Sequence, residues 1–577
     1  MQKNLMINHN RMMKYLRFWA IAIIGAVFAA PMALGDSQAR KGSTEAEVIQ
    51  QLDVLNSVVK ELTTFYVDTL DAKKHIHTAI KAMLEDIDPY TEFISEEEQN
   101  DFLALSTGEY GGIGSYITQH KSGGVEISGP YADSPAARAG LKCGDKILMI
   151  DNDSVDKCTT DEVSKRLKGQ ASTHLSITVK RPYVADSILT FNLIREKIKL
   201  NPITYYGITP DSVGYIALNT YNEHSASGVK KALLEFKSHP KLKGVVLDLR
   251  SNGGGLVDEA IKILGFFLPK GTEVLTTKGR TTQQLKVYKT SEAPIMPDMP
   301  LVVLINDGSA SASEITVGAL QDLDRAVVVG QRSFGKGLVQ TTRPIGFNNL
   351  LKLTIAKYYI PSGRLIQEID YSEHNADGNS RKPDSLCQVF HTAGGREVRD
   401  GGGITPDIKI KEDSINRLVY KIVQDKWDSD FATKYAAEHP TIPSPADFEI
   451  TDEIFEEFKH FLHPEKFEYD KVCEIGVSLL RKTAESEGYM TDSVKTEFDR
   501  LEQLLKHDLN RDLDRNRAQI STYLAGEILS RYYYDAGVTE NLIKTCKCMA
   551  EAVRVLSTPG EYDKILHPQQ KKKQKRK

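Results

Sequence analysis

The sequence predicts a multidomain α+β protein with a helical N-terminal region, a small glycine-punctuated β domain, an α/β core and a helical C-terminal region. Three observations predict it. From Tyr215 to about Ile410, short apolar runs alternate with helical patterns, the order of an α/β layer. Between 108 and 198, glycine-rich turns separate short strands. On either side, apolar residues recur at helical spacing. The 577 residues allow three or four domains, and 40% hydrophobic content is enough to build their cores. A net charge of −4 argues against a general nucleic-acid binder.

The chain opens with Lys14 and Arg17, then an apolar run from Phe18 to Leu34 closed by Ala33-Leu34-Gly35. That order is a signal peptide over 1–35, with cleavage before Asp36, or a retained membrane anchor of the same span. Either way the body is exported. Residues 44–107 are a helical region, with Val48, Leu52, Leu55, Val59 and Leu62 in helical period and a turn at Asp88-Pro89-Tyr90-Thr91.

The region 108–198 begins with Tyr110-Gly111-Gly112-Ile113-Gly114-Ser115-Tyr116-Ile117, a glycine loop running into a strand. Ser134 before Pro135 is a helix start, and Thr159 with Glu162 forms a capping box for a helix reaching about Leu167. The order of elements resembles a PDZ domain. In that fold Gly112, Ile113, Gly114 and Ser115 turn backbone N–H groups towards a terminal carboxylate, and the bound peptide adds as a strand.

In the core region 199–410, three buried strands each run into an unusual loop. GVVLDL, ending at Leu249, leads to Arg250-Ser251-Asn252-Gly253-Gly254-Gly255 and an apolar helix. No Gly-Lys-Ser/Thr follows, so this is not a nucleotide P-loop. PLVVLI, ending at Ile305, leads to Ser309-Ala310-Ser311-Ala312-Ser313-Glu314 and a helix from Ala312. AVVVG, ending at Gly330, leads to Phe334-Gly335-Lys336-Gly337. A serine at a helix N-terminus sits where negative charge is stabilised, although serines there are also ordinary caps. A lysine among glycines and apolar residues pays for its charge by desolvation, which lowers its pKa towards that of a base.

The segments DLRSNGGG, GSASASEI and SFGKGLVQ, with DIDPYTEFIS, YYIPSGRLIQ and GGGITPDI in the same order, resemble the carboxy-terminal processing peptidases, or tail-specific proteases, of the S41 serine peptidase family. The resemblance spans about 45–410. It implies a ClpP/crotonase-like α/β protease core with Ser311 as nucleophile, Lys336 as base, and Gln340, one helical turn later, orienting the lysine. It also implies an oxyanion hole from the N–H of Ala312 and of Gly253 or Gly254, which sequence does not separate. No cofactor or metal is expected. The expected partners are unstructured C-termini of envelope proteins, with self-association and an adaptor protein left open. The expected location is the periplasm, with the N-terminus free or holding the protein at the inner membrane. The alternative is a non-catalytic PDZ scaffold of the envelope.

Residues 411–577 are charged and helical, end in the basic tail KKKQKRK, and carry no chemical motif. Of six cysteines, Cys143 and Cys158 share one small domain and could pair. Cys546 and Cys548 read as helical, so their thiols should point apart.

Overall fold

The computed structural model describes residues 44–120, 123–371, 385, 387–411, 413–462, 467–469 and 471–568. The leader over 1–35 and the basic tail lie outside these residues. The chain divides into a short unit, Met1–Thr78, and a large one, Ala79–Lys577. In the short unit the helix Glu45–Phe65 starts at a capping box between Thr44 and Glu47. Its apolar residues Ile49, Leu52, Leu55 and Leu62 are exposed.

The large unit is built on a six-stranded sheet in the spatial order Ile203–Ile208, Val213–Leu218, Gly244–Asp248, Leu301–Ile305, Val327–Gly330 and Ile408–Lys409. The first pair is antiparallel and all later neighbours are parallel. Parallel strands are buried on both faces, which explains their unbroken Val/Leu/Ile runs. One face packs Ile216, Val245, Leu247, Val303 and Val328 with the helices Ser225–Lys237, Val257–Gly265 and Ala312–Asp322. The other packs Tyr215, Val246, Val302, Leu304 and Val329 with Cys548, Met549, Ala552 and Val555 of the helix Lys547–Ser557. The C-terminal region therefore completes the core of the sheet, a role its sequence does not announce. Its helices Arg417–Gln424, Trp427–Glu438, Asp452–Phe461, Leu509–Arg515 and Arg517–Leu542 hold a second core around Phe431, Phe455, Phe458, Leu524 and Ile528.

A second sheet lies beside the first, with Asn349–Tyr359 joined to Glu92–Ile94, Glu273–Gly279 and Leu338–Gly346. The small domain is a sheet in the order Ser115–Gln119, Val125–Pro130, Lys146–Ile150, His174–Lys180, Ile188–Ile194. The expected helix starts are present. Ser134 Oγ accepts from Ala137 N–H, and Thr159 and Glu162 cap each other reciprocally. Ser115–Gln119 is an edge strand, and the helix Thr160–Leu167 packs beside it. Cys143 and Cys158 are both free thiols, with Cys143 Sγ donating to Ser128 O.

Candidate active site

The carboxyl ends of three adjacent parallel strands build the site, the usual place for a ligand in an open α/β sheet. The central strand Leu301–Ile305 supplies Ser311, and its two neighbours supply the glycine loop and the lysine loop. Ser311 stands directly before the helix Ala312–Asp322 with φ 56° and ψ −114°. A non-glycine residue there carries backbone strain of about 1–3 kcal/mol, which its surroundings must impose. They do so through many bonds. Ala310 N–H donates to Asn252 O, Ser313 Oγ donates to Asn252 O, Ser309 Oγ donates to Leu249 O, and Phe334 N–H donates to Ser309 O. Ser309 and Ser313 thus have structural bonds and are fully buried, whereas Ser311 is half-buried.

The glycine loop lies against this turn. A Cβ on Gly254 would meet Ala310 O at 2.7 Å and Ser311 Cβ at 2.8 Å, so only glycine fits, and its φ is +96°. The Gly254 N–H is taken by Asn252 Oδ1 at 2.9 Å. Gly253 is exposed, and among the described residues neither its N–H nor that of Ala312 has a hydrogen-bond partner. The structure thereby separates the two glycines that the sequence leaves equivalent: Gly253 offers a donor and Gly254 gives close approach.

The residue that ties the site together is Glu314, fully buried three positions after Ser311. Its carboxylate accepts from Ser311 N–H (2.9 Å), Ser333 Oγ (2.6 Å), Gly335 N–H (2.7 Å) and Lys336 N–H (2.9 Å). One side chain thus fixes the backbones of the serine and lysine loops to each other. Burial pushes its carboxyl up to about 7, against the four donors. The sequence signal was the S-x-x-E spacing of a capping box, which reads as a helix start and conceals the link to Lys336. Tyr358 adds a second clamp, its hydroxyl donating to Lys336 O (2.5 Å) and lying 3.3 Å from Ser311 O.

Lys336 is half-buried, and burial, followed by the Lys352 charge, lowers its amine to about 8. Its Nζ lies over the Tyr90 ring, 4.4 Å from the centre. Among the described residues no hydrogen bond joins it to Ser311 Oγ. Gln340 departs from the expected geometry. It lies on the strand Leu338–Gly346 and not on a helix, and its amide donates to Thr354 Oγ1 at 3.1 Å. The strand begins at Leu338, and Gln340 lies on it opposite Thr354 of the neighbouring strand. Among the described residues no hydrogen bond joins Gln340 to the lysine.

In the small domain, Gly112 ends a strand paired with Glu196–Lys199, Ile113 O accepts from Ala136 N–H, and Gly114 O accepts from Tyr131 N–H. The amides of Ile113 and Gly114 have no partner among the described residues. Ser115 begins the edge strand.

A profile of peptidase family S41 matches residues 212–374, a PDZ-domain profile matches 126–181, and the profile "Probable PDZ-protease, C-terminal helical domain" matches 418–556. The chain is similar to the carboxy-terminal-processing protease of Bartonella bacilliformis, 36% identical over 352 residues that cover 60% of this chain and 80% of that one. It is similar to a probable CtpA-like serine protease of Staphylococcus aureus, 33% identical over 389 residues, covering 66% and 75%. Among solved structures, the photosystem II D1 C-terminal processing protease aligns at 24% identity and a TM-score of 0.35, covering 64% of this chain and 94% of that one. With these sequence relatives, the chain belongs to peptidase family S41, as a serine-type peptidase of the carboxy-terminal-processing group with a PDZ domain.

Proposed function

We propose that the protein is an ATP-independent endopeptidase of the cell envelope that captures substrate C-termini through its PDZ domain and cleaves them with Ser311 and Lys336. The observation that carries this reading is the shared carboxylate of Glu314, which holds the strained Ser311 and the desolvated Lys336 in one bonded unit. Ser311 Oγ attacks the scissile carbonyl carbon as neutral Lys336 takes its proton. The oxyanion forms against the N–H groups of Ala312 and Gly253, which have no acceptor among the described residues. Lys336 then protonates the departing amine, and a water activated by the same amine releases the acyl group. Gln340, bonded to Thr354, takes no direct part in the proton transfer.

The edge strand Ser115–Gln119 supports strand addition by a peptide, and the amides of Ile113 and Gly114 support capture of its α-carboxylate. The leader over 1–35 supports a periplasmic body, soluble or tethered at the inner membrane. Cleavage of an unstructured peptide by wild type, Ser311→Ala and Lys336→Ala tests the reading. Both variants should be folded and inactive. Retained peptide binding with no cleavage by wild type under any condition would favour a scaffold.

A further inference from the structure

Both peptide planes that flank the Lys336 Cα are held at both edges. In the plane before it, Gly335 C=O accepts from Glu368 N–H at 2.9 Å and Lys336 N–H donates to Glu314 at 2.9 Å. In the plane after it, Lys336 C=O accepts from Tyr358 Oη at 2.5 Å and Gly337 N–H donates to Gln367 Oε1 at 2.6 Å. The backbone of a residue has only two soft angles, φ and ψ. Two fixed planes therefore set the direction of the Cα–Cβ bond between them. The amine is left to swing about its side-chain torsions alone, between the Tyr90 ring and Ser311.

Glu314 and Tyr358 also reach the serine turn, and the Glu368 donor is main chain. Gln367 is the remaining hold, and it is a side chain brought from another segment. Leu365–Glu368 packs directly on the lysine loop. A Cβ on Gly335 would meet Glu368 Cβ at 2.8 Å, and one on Gly337 would meet Gln367 Cβ at 3.0 Å. The segment is itself anchored, with Ile366 O accepting from Gly403 N–H at 2.8 Å. Gly337 is buried, so its N–H needs a protein acceptor. The Gln367 amide has one orientation that serves. Its Nε2 donates to Ile369 O at 3.0 Å, which can only accept, and its Oε1 faces a backbone N–H, which can only donate. A flipped amide would set donor against donor.

We propose that Gln367 is a positioning residue for Lys336: its amide fixes the peptide plane after the lysine and so aims the amine at Ser311 Oγ. Among the described residues it hydrogen-bonds neither the amine nor Ser311, and it acts through the backbone of the loop. The orienting role that the family resemblance gives to Gln340 falls to Gln367. This role rests on the reading of Lys336 as the base given above.

The test uses the full chain and two variants. Gln367→Leu keeps the bulk and removes the acceptor. Gln367→Glu keeps an acceptor for Gly337 N–H and gives up only the bond to Ile369 O. Both are compared with wild type on the alkaline plateau, where the Lys336 amine is neutral and the added carboxylate does not change its charge. In Gln367→Leu, kcat and the rate at which a fluorophosphonate labels Ser311 should fall together by about ten- to a hundred-fold, the cost of a misaimed reacting group. KM should be little changed, and circular dichroism should show a folded protein. Gln367→Glu should recover most of both rates. Wild-type rates in Gln367→Leu, a loss that falls on KM instead of kcat, or a Gln367→Glu variant as impaired as Gln367→Leu would overturn the proposal. If Gln367→Leu fails to fold, Gln367→Glu decides alone: it should fold and label near the wild-type rate, and slow labelling of the folded variant would overturn the role. Failure of the base reading shows separately, as undiminished labelling of Ser311 in Lys336→Met.

Discussion

The amine of Lys336 lies 4.4 Å from the centre of the Tyr90 ring, held as a cation over an aromatic face. A ring in that position favours the protonated amine, while the base role needs the neutral one. Burial and hydrogen bonding to Tyr371 raise the Tyr90 phenol, so it stays uncharged. The amine must leave the ring to reach Ser311 Oγ, and the ring weighs against its deprotonation. With the amine at about 8, cleavage should fall as pH drops below that value and hold on the alkaline side. Tyr90→Leu should move this acid limb down by about half to one pH unit, from a contact of about 0.5–1.5 kcal/mol. Tyr90→Phe should leave it in place. pH profiles of kcat/KM check this, and an upward move in Tyr90→Leu would contradict it.

A buried base costs stability. The folded amine titrates near 8 and the free one near 10.5, so below pH 8 both states carry the charge, and burial opposes it only in the folded state. The penalty disappears as pH rises from about 8 to about 10.5. Lys336→Met should therefore be inactive and more stable at pH 7, by about 2 kcal/mol. The difference should shrink through that window in denaturant titrations at graded pH. Equal stability of the two proteins at pH 7 would contradict the desolvation account.

Glu314→Gln keeps size and removes charge. Its amide cannot accept from four donors, so at least one buried N–H or O–H loses its partner at about 1–3 kcal/mol. Melting temperature and kcat should both fall, with KM little changed, since the bonds of Glu314 are to the serine and lysine loops and not to the small domain. In wild type, Glu314 protonates as pH falls through about 7, after Lys336 charges near 8. The acid limb should therefore steepen below pH 7 in wild type and not in Glu314→Gln.

Substrate capture is best probed from the substrate's side. Gly114 has φ +73°, and a Cβ there would strike Ser134 Cβ at 2.5 Å, so a bulky substitution would damage the domain itself. Amidating the C-terminus of one unstructured peptide removes the charge that the Ile113 and Gly114 amides would receive. Capture should weaken by about ten- to a hundred-fold, in KM more than in kcat. Equal KM for both peptides would exclude carboxylate recognition.

Much of this architecture could be read from the chain because each core strand is an unbroken apolar run ending in a loop of distinctive residues. Ser311, Lys336 and the glycines stand out for that reason. What stayed hidden depends on pairings distant in sequence. Glu314 looks like a cap until the lysine loop is seen resting on it. Gln340 is expected beside Lys336 from the family resemblance alone, and it follows a glycine turn into a strand. Gly253 and Gly254 separate only once Gly254 is seen packed against Ala310 and Ser311 with its N–H on the Asn252 side chain. The C-terminal helices show an amphipathic pattern, yet nothing local says that they cover the protease sheet.

The central claim is that Ser311 is the nucleophile and that Lys336 activates it. The most direct measurement is peptide mapping by mass spectrometry after brief exposure of the folded protein to a fluorophosphonate. The account predicts one adduct, on Ser311, in wild type, and its loss in Lys336→Met at the same pH. An adduct on Ser309 or Ser313, or undiminished labelling of Ser311 in Lys336→Met, would contradict it.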